Sequence, residues 1–246
     1  MVGIIPARWD SSRFPGKPLA LLGGKPMILW VVEAASRSES LDQVIVATDD
    51  SRILEAVTQS GGKAQMTSRE HTTGSDRIAE VAVGADWDIV VNIQGDEPLI
   101  DPAEIDRAVE GLKANPEISV STLKTPVRSV VEFNDPNVVK VVTDEKGRAL
   151  YFSRSAIPFD RDGAKDDGNS LKGLYRHLGL YAYRKNFLIE FTRMPATFLE
   201  NQEKLEQLRI LESGNSILVL EASCVSPGVD CPEDLARLES LIADQE

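Results

Sequence analysis

The segment with the clearest chemical potential is a short loop near the N-terminus. Arg8, Arg13 and Lys17 lie there together with Gly16 and two serine hydroxyls. Glycine lets backbone N–H groups approach an anion, arginine can bind phosphate oxygens through two hydrogen bonds, and lysine adds a point charge. The loop therefore fits a triphosphate whose β- and γ-phosphates leave as pyrophosphate, although a solvated surface loop could have the same composition.

The spacing of this loop argues against two common phosphate-binding motifs. It matches neither the P-loop pattern nor G-x-G-x-x-G, which disfavours P-loop kinases and dinucleotide-binding enzymes. A second glycine pair, Gly23-Gly24, is more typical of a turn before a helix than of a phosphate cradle.

An acidic segment follows the apolar run at residues 88–93. Asp96 stands after Gly95 and before Pro98 in the sequence NIQGDEP. A carboxylate at the carboxyl end of a buried strand is well placed to bind Mg²⁺, which prefers one or two carboxylates with phosphate oxygens and waters. We predict Asp96 as the ligand and Glu97 as a turn residue, while an ordinary acidic turn is the simpler alternative.

A second acid lies near the C-terminus in GVDCPED. Asp230 precedes a helix predicted to begin at Pro232. It could cap that helix, because aspartate stabilises helix starts through hydrogen bonds and the helix dipole, or it could be a second metal ligand. Spacing alone does not decide between these two roles.

A further polar group lies on a predicted strand at residues 176–184. His177 and Tyr181 alternate onto the face that also carries Gly179. Such side chains could bind a hydroxylated, anionic ligand. The other histidine, His71, could be a functional residue but is equally consistent with a turn.

Residues 200–213 predict one strong helix that ends at Gly214, with Leu208 among its core residues.

Short apolar runs alternate with amphipathic segments through the first half of the chain. Strands are predicted at residues 2–5, 43–48 and 88–93, and helices at 26–38, 50–60, 75–83 and after 101. This alternation predicts an α/β fold with a mostly parallel sheet flanked by helices. Strands joined by turns follow from residue 119 to 152, and the glycine-containing, polar stretch 161–172 is predicted to be a mobile loop.

Composition excludes several classes of protein. The chain of 246 residues carries a net charge of −12, so nucleic acid is disfavoured as a partner. The two cysteines, Cys224 and Cys231, predict neither a disulfide framework nor a zinc site. Neither a signal peptide nor a membrane span is evident, so we expect no membrane association and a cytoplasmic location.

Taken in order, these segments resemble the 3-deoxy-manno-octulosonate (Kdo) cytidylyltransferases, or CMP-Kdo synthetases. The similarity rests on IIPARWDSSRFPGKPL, IVATDD, NIQGDEPLI, ALYFSRSAIPFDRD, RHLGLYAYR, LENQEKLEQLRILESG and GVDCPEDL. It covers nearly the whole chain. Each motif is moderately specific for sugar nucleotidyltransferases, whereas ALYFSR with RHLG.Y and LEQLR is specific for this branch.

The resemblance implies a Rossmann-like nucleotidyltransferase fold with a mixed, mostly parallel sheet and an inserted antiparallel dimerisation lobe. We expect residues 1–117 to form a nucleotide-binding half, about 118–213 the sugar-binding and dimerisation lobe, and 214–246 the return to the main sheet with a C-terminal helix. It also implies a homodimer, a requirement for Mg²⁺, and transfer of CMP from CTP to Kdo for lipopolysaccharide synthesis.

Residue roles carry over by position. The triphosphate is expected at Arg8, Arg13 and Lys17, and Mg²⁺ at Asp96 and Asp230; Lys17, Asp96 and Asp230 form the expected catalytic set. Residues expected around the cytidine are Ala7, Gly74, Ser75, Arg77 and Gln94. Residues expected to bind the sugar acid are Arg154, near its carboxylate, with His177, Tyr181, Glu206 and Gln207.

One departure from the family pattern is Cys231, where threonine is usual, and the preceding stretch from Cys224 also differs. Rival interpretations are a cytidylyltransferase for another acidic sugar, such as sialic acid or an amino-Kdo variant, a glycosyltransferase that consumes a nucleotide sugar, and a non-catalytic nucleotide-binding module. A glycosyltransferase would not need the grip of residues 8–17 on leaving pyrophosphate.

Overall fold

The structure is a computed structural model that describes residues 1–10, 14–161 and 171–243. Its strands, in chain order, are β1 (Val2–Ala7), β2 (Leu21–Leu22), β3 (Lys25–Pro26), β4 (Gln43–Thr48), β5 (Lys63–Met66), β6 (Ile89–Asn92), β7 (Val120–Pro126), β8 (Lys140–Thr143), β9 (Ala149–Ser153), β10 (Tyr175–Arg184) and β11 (Ile217–Glu221). Its helices are α1 (Met27–Ala35), α2 (Ser51–Gln59), α3 (Gly74–Val83), α4 (Pro102–Ala114), α5 (Val130–Asn134), α6 (Lys185–Phe191), α7 (Phe198–Glu203), α8 (Gln207–Glu212) and α9 (Pro232–Ala243).

The chain forms two compact units. The first comprises residues 1–106, 184–192 and 224–246, and the second comprises residues 107–183 and 193–223. Helix α4 begins in the first unit and continues into the second.

The first unit is built on parallel strands in the order β6-β1-β4-β5. Strand β1 lies between β4 and β6, and its residues Val2, Ile4 and Ile5 are completely buried. A strand covered on both faces has apolar residues at consecutive positions, which explains the uninterrupted run at the N-terminus. The predicted α/β sheet flanked by helices is confirmed.

The second unit is mainly antiparallel, as expected for an inserted lobe. Strand β10 pairs antiparallel with β7 and with β8, and β8 pairs antiparallel with β9. Strand β11 adds to the free side of β7 in parallel. The predicted return to the main sheet after residue 213 therefore begins with a strand that belongs to this second unit.

Local sequence signals fix several element ends as expected. Helix α2 begins after Asp50, whose carboxylate accepts a hydrogen bond from the Arg52 N–H, and it ends before Gly61, which has a positive φ of 84°. The Gly23-Gly24 pair forms the turn between β2 and β3, as predicted. Most of the predicted loop 161–172, and Arg13, lie outside the described residues.

The single helix predicted over residues 200–213 is wrong. Helices α7 and α8 replace it, separated at Lys204, whose φ of 54° is left-handed. Glu200 connects the segments on the two sides of the break: its carboxylate accepts from the Thr197 N–H at 3.1 Å and forms a buried pair with Arg209, with Nε 2.7 Å from Oε2. Of the two short helices only α8 buries apolar residues, among them Leu208 and Ile210, whereas the buried residue of α7 is Glu200.

This buried pair gives a prediction for stability. Glu200→Gln removes the charge that Glu200 places against the buried Arg209 guanidinium, so we expect a loss of about 3 kcal/mol in the free energy of unfolding, measured with urea by circular dichroism. The matched control is Glu110→Gln, because Glu110 pairs with Lys113 on the surface and such pairs contribute less than about 1 kcal/mol. Equal losses in the two variants would contradict the assignment.

Candidate active site

The Lys17 ammonium group is the centre of a polar cluster in the first unit. Its Nζ donates to Asp96 Oδ2 at 2.7 Å and to the Val229 carbonyl at 2.8 Å, and it lies 3.9 Å from Asp230 Oδ1. We call Lys17, Asp96 and Asp230 the lysine–carboxylate cluster. The structure thus brings together the three residues that the sequence assigned to catalysis.

The backbone before Lys17 is folded back on itself. Gly16 has a φ of +72°, and its N–H donates to the Trp9 carbonyl at 3.0 Å. A Cβ atom at Gly16 would lie 2.8 Å from the Trp9 ring, so only glycine fits this position. The Arg52 guanidinium lies 3.3 Å from the centroid of the Trp9 ring, and Asp50 holds it through two side-chain hydrogen bonds.

The two acidic segments are joined through their backbones. The Val229 N–H donates to the Asp96 carbonyl at 2.8 Å. Gly95 lets the Asp96 loop approach the end of β1, because a Cβ there would lie 3.1 Å from the Pro6 carbonyl oxygen. The segments that carry Asp96 and Asp230 are therefore connected by a backbone hydrogen bond as well as by the side chain of Lys17.

The turn that carries Asp230 is stabilised by another carboxylate. The turn before α9 is held by Asp234, whose Oδ2 accepts from the N–H groups of Asp230 at 3.0 Å and Cys231 at 3.1 Å. The Cys231 thiol also donates to Asp234 and is the main cause of the lowered pKa of that carboxyl. Asp234 therefore holds this turn, and the Asp230 carboxylate lies 3.9 Å from Lys17 Nζ. Cysteine in place of the usual threonine keeps a donor at this turn.

The lysine–carboxylate cluster suits a divalent cation by its donor set. The Asp96 and Asp230 side chains are 34% and 58% exposed, so their oxygens are accessible to an ion from solvent. Two carboxylates, completed by phosphate oxygens and waters, are what Mg²⁺ prefers. Among the described residues there is no group of three or more His, Cys, Asp and Glu side chains that could hold a metal, so a tighter site of that kind is not available there.

Several residues predicted around the cytidine lie at the carboxyl end of the parallel strands. Ala7 is the last residue of β1, Gln94 comes two residues after β6, and Gly74 begins α3 against Pro6. Ser75 follows in the first turn of α3 and is buried. Arg8, just beyond β1, is exposed. This edge of an open α/β sheet is where ligands bind.

Arg77 has a different setting from the other residues predicted around the cytidine. Its side chain is buried, and its guanidinium pairs with Asp49 at 2.8 Å and donates to Thr67 Oγ1 at 2.5 Å and to the Ser68 carbonyl at 3.3 Å. Arg77 therefore holds the 67–68 segment and the end of β4 in place. Any effect on a bound nucleotide would pass through that segment.

In the second unit, Arg154 is held by backbone and side-chain contacts. Its Nε donates to the Glu203 carbonyl at 2.8 Å, its Nη1 to the Pro136 carbonyl at 3.0 Å, and its own N–H to Glu203 Oε2 at 2.9 Å. The Ser153 hydroxyl donates to the other Glu203 oxygen at 2.6 Å. Glu203 was not singled out from the sequence, although it lies in the same LENQEKLEQLR segment as Glu206.

His177 is a neutral imidazole in an apolar setting. Its ring packs edge-on against Phe152 and beside Tyr181, and burial lowers its pKa to about 3. Nε2 lies 3.0 Å from the Thr122 hydroxyl, which is 2.8 Å from the Leu180 carbonyl. Because the hydroxyl donates its single proton to that carbonyl, it accepts from Nε2–H, and Nδ1 is left unprotonated. Thr122 was also not found from the sequence.

Tyr181 and Glu206 are electrostatically coupled. Burial raises the pKa of Tyr181 well above its usual value, and Tyr183 and Glu206 raise it further. Among the described residues, the Tyr181 hydroxyl makes no hydrogen bond of ordinary geometry. Glu206 immediately precedes α8, and buried Gln207 is its first residue. The break at Lys204 therefore places Glu206 and Gln207 at a helix start, a position that the predicted single helix would not have given them.

Comparison with known proteins gives the family. A family model described as cytidylyltransferase matches residues 2–217. A 3-deoxy-manno-octulosonate cytidylyltransferase of Syntrophotalea carbinolica is 54% identical, over 98% of this chain and 97% of its own. The protein of that name from Geobacter sulfurreducens is 53% identical, over 98% and 99%. The chain belongs to the 3-deoxy-manno-octulosonate cytidylyltransferase family.

Solved structures agree with this membership. A structure of CMP:2-keto-3-deoxy-manno-octonic acid synthetase complexed with CTP is 42% identical, with a TM-score of 0.93 over 100% of this chain and 99% of that one. A putative glucose-1-phosphate thymidylyltransferase from Bacillus anthracis is 17% identical with a TM-score of 0.65 over 99% and 96%, which shows the shared fold alone. The nucleotidyltransferase fold predicted for the family is confirmed.

The neutral imidazole gives a prediction for pH dependence. Because its pKa is lowered from 6.5 to about 3, His177 takes up no proton in the folded state while the unfolded state does so below its ordinary pKa. Protonation of His177 in the unfolded state alone should therefore lower the free energy of unfolding as the pH decreases from 6.5 towards 3. In NMR spectra, the His177 ring C–H signals should stay constant from about pH 8 to about pH 5.

The chain contains 2 histidines, so His71→Asn assigns the spectrum directly. A matched variant, His177→Asn, should show a shallower loss of stability on acidification than the native protein. Titration of the His177 signal near neutral pH would contradict the buried, neutral state.

Proposed function

We propose that this protein transfers CMP from CTP to Kdo, giving CMP-Kdo and pyrophosphate, and so activates Kdo for lipopolysaccharide biosynthesis. The observation that carries the proposal is the lysine–carboxylate cluster, with Lys17 Nζ 2.7 Å from Asp96 and 3.9 Å from Asp230. It supports phosphate and metal binding at the carboxyl end of β1 and β6. The identity to named Kdo cytidylyltransferases supports the choice of nucleotide and sugar.

The reaction would be a direct displacement at phosphorus. The anomeric hydroxyl oxygen of Kdo forms a bond to the α-phosphorus of CTP, the bond from that phosphorus to the β-phosphate oxygen breaks, and the hydroxyl proton is released. Arg8, Arg13 and Lys17 would bind the triphosphate and neutralise charge on the leaving pyrophosphate. Mg²⁺ held by Asp96 and Asp230 would screen the α-phosphate and lower the pKa of the attacking hydroxyl.

The nucleotide and sugar sites are assigned to different sets of residues. Ala7, Gly74, Ser75 and Gln94 would surround the cytidine, and Arg77 would hold the neighbouring 67–68 segment. The sugar acid would bind to Arg154, His177, Tyr181, Glu206 and Gln207. The buried Tyr181 hydroxyl and the unprotonated His177 Nδ1 support this, because each offers hydrogen-bonding capacity that a sugar hydroxyl can use. A cationic Arg154 suits the carboxylate of the sugar.

We also propose that the protein is a cytoplasmic homodimer. Large apolar side chains of the second unit are exposed, which supports an interface there; they are Val131 at 81%, Leu150 at 62%, Phe159 at 88% and Phe198 at 75%. In the parts of the chain that the structure describes, no helix is long and apolar enough to cross a membrane. CTP as the donor supports a cytoplasmic reaction.

Turnover with defined substrates tests the proposal. Incubation with CTP, Mg²⁺ and Kdo should release pyrophosphate in step with CMP-Kdo, followed by a coupled phosphate assay and mass spectrometry. Sialic acid in place of Kdo should release little, and omission of Mg²⁺ should abolish release. No release with Kdo, or equal release with sialic acid, would reject Kdo as the substrate.

The two carboxylates should matter for chemistry more than for folding. Asp96→Asn and Asp230→Asn should each lower kcat by roughly a hundredfold or more, because metal binding and phosphate neutralisation are lost. Since both side chains are partly exposed, the unfolding midpoint should change little. Glu97→Gln is the matched control and should retain activity. A comparable loss of kcat in Glu97→Gln would mean that Glu97 also has to be counted as a metal ligand.

A further inference from the structure

Lys140 is a completely buried lysine in the middle of the second unit. Its relative exposure is 0%, and its Nζ donates to the carbonyls of Asp135 at 2.7 Å, Val138 at 2.5 Å and Arg154 at 2.8 Å. An ammonium group has three N–H donors, so these three carbonyls satisfy all of them. Burying a charge is costly unless it is fully hydrogen-bonded, and an apolar side chain here would avoid that cost.

The segments that Lys140 joins include Arg154, one of the residues assigned to the sugar acid. It binds the backbone carbonyl of Arg154 directly. The 135–138 turn, which supplies the other two carbonyls, also contains Pro136, whose carbonyl accepts from Arg154 Nη1 at 3.0 Å. Both the backbone and the guanidinium of Arg154 therefore depend on groups that Lys140 holds.

His177 is connected to the same point. Its N–H donates to the carbonyl of Val139 at 2.8 Å, and Lys140 lies opposite Arg176 in the pairing of β8 with β10. A shift of the backbone around residues 138–140 would therefore move the strand that presents His177 as well as the turn that holds Arg154.

The two cations also influence each other. Burial lowers the pKa of Lys140 most, the Asp135 carboxylate raises it, Arg154 lowers it and Glu203 raises it, so two carboxylates act against the repulsion between the two cations.

We propose that Lys140 is a positioning residue for the acidic sugar. It fixes the 135–138 turn and the backbone at Arg154, so that the Arg154 guanidinium is held in place for the sugar carboxylate. This inference rests on the proposed function, in which Arg154 binds that group.

The test separates the two substrates kinetically. Lys140→Met should raise KM for Kdo by roughly tenfold or more, as expected when a binding group is displaced, while KM for CTP stays within about twofold. Lys146→Met is the matched control, because Lys146 is an exposed lysine of the turn between β8 and β9, and both KM values should stay unchanged. An unchanged KM for Kdo, or equal rises for CTP and Kdo, would overturn the proposal.

A double-mutant cycle tests whether Lys140 acts through Arg154. Arg154→Ala should raise KM for Kdo, and adding Lys140→Met to it should cause little further rise, because the group being positioned is already absent. Independent, multiplying effects would overturn the proposal. If Lys140→Met does not fold, Lys140→Gln, which keeps an N–H donor but removes the charge, is measured with the same expected and contrary results.

The native protein separates this inference from the proposed function. Turnover of CTP with Kdo by the native chain tests the function. Normal native turnover combined with unaltered Kdo kinetics in the Lys140 variants rejects only the role of Lys140, whereas failure of the native chain to use Kdo rejects both.

Discussion

The Lys17 ammonium group joins three segments that are far apart in the sequence. It bonds to a side chain in the loop after β6, to a backbone carbonyl before α9, and lies close to the carboxylate that follows that carbonyl. Two carboxylates near one point repel each other unless a cation lies between them. The chain supplies that cation itself, so the acidic groups can be held close together before any ligand or metal arrives.

This polar cluster rests on an apolar one. Val229, whose carbonyl binds Lys17, is buried in a hydrophobic cluster with Leu22, Met27 and Leu238, and Phe14 of the N-terminal loop packs against the same cluster. Burial of each such side chain contributes about 1.5–3 kcal/mol, more than a partly exposed ion pair does. Apolar packing therefore fixes the position of the backbone in these segments. The backbone position in turn determines where the charged groups around Lys17 lie.

The sequence was sufficient to predict those features that depend on residues close together along the chain. Asp50 before α2, Pro232 at the start of α9 and the apolar run of β1 could be interpreted from local patterns, and the structure agrees. The break at Lys204 could not be found in this way, and the pairing of Glu200 with Arg209 across it is visible only in the folded structure. The same holds for the setting of Arg77: resemblance to the family predicted it near the cytidine, and only the structure shows that Asp49 and Thr67 contact its guanidinium.

Lys17 and Lys140 show why residue type alone does not decide a role. Lys17 is partly exposed between carboxylates, where its charge can be shared with a ligand that carries phosphate groups. Lys140 is completely buried among backbone carbonyls, where its donors are already used and its charge acts only through neighbouring groups. The first setting leaves the ammonium able to exchange partners, whereas the second makes it part of the framework. Since the carbonyls around Lys140 come from residues 135, 138 and 154, only the tertiary structure distinguishes a lysine that binds from a lysine that positions.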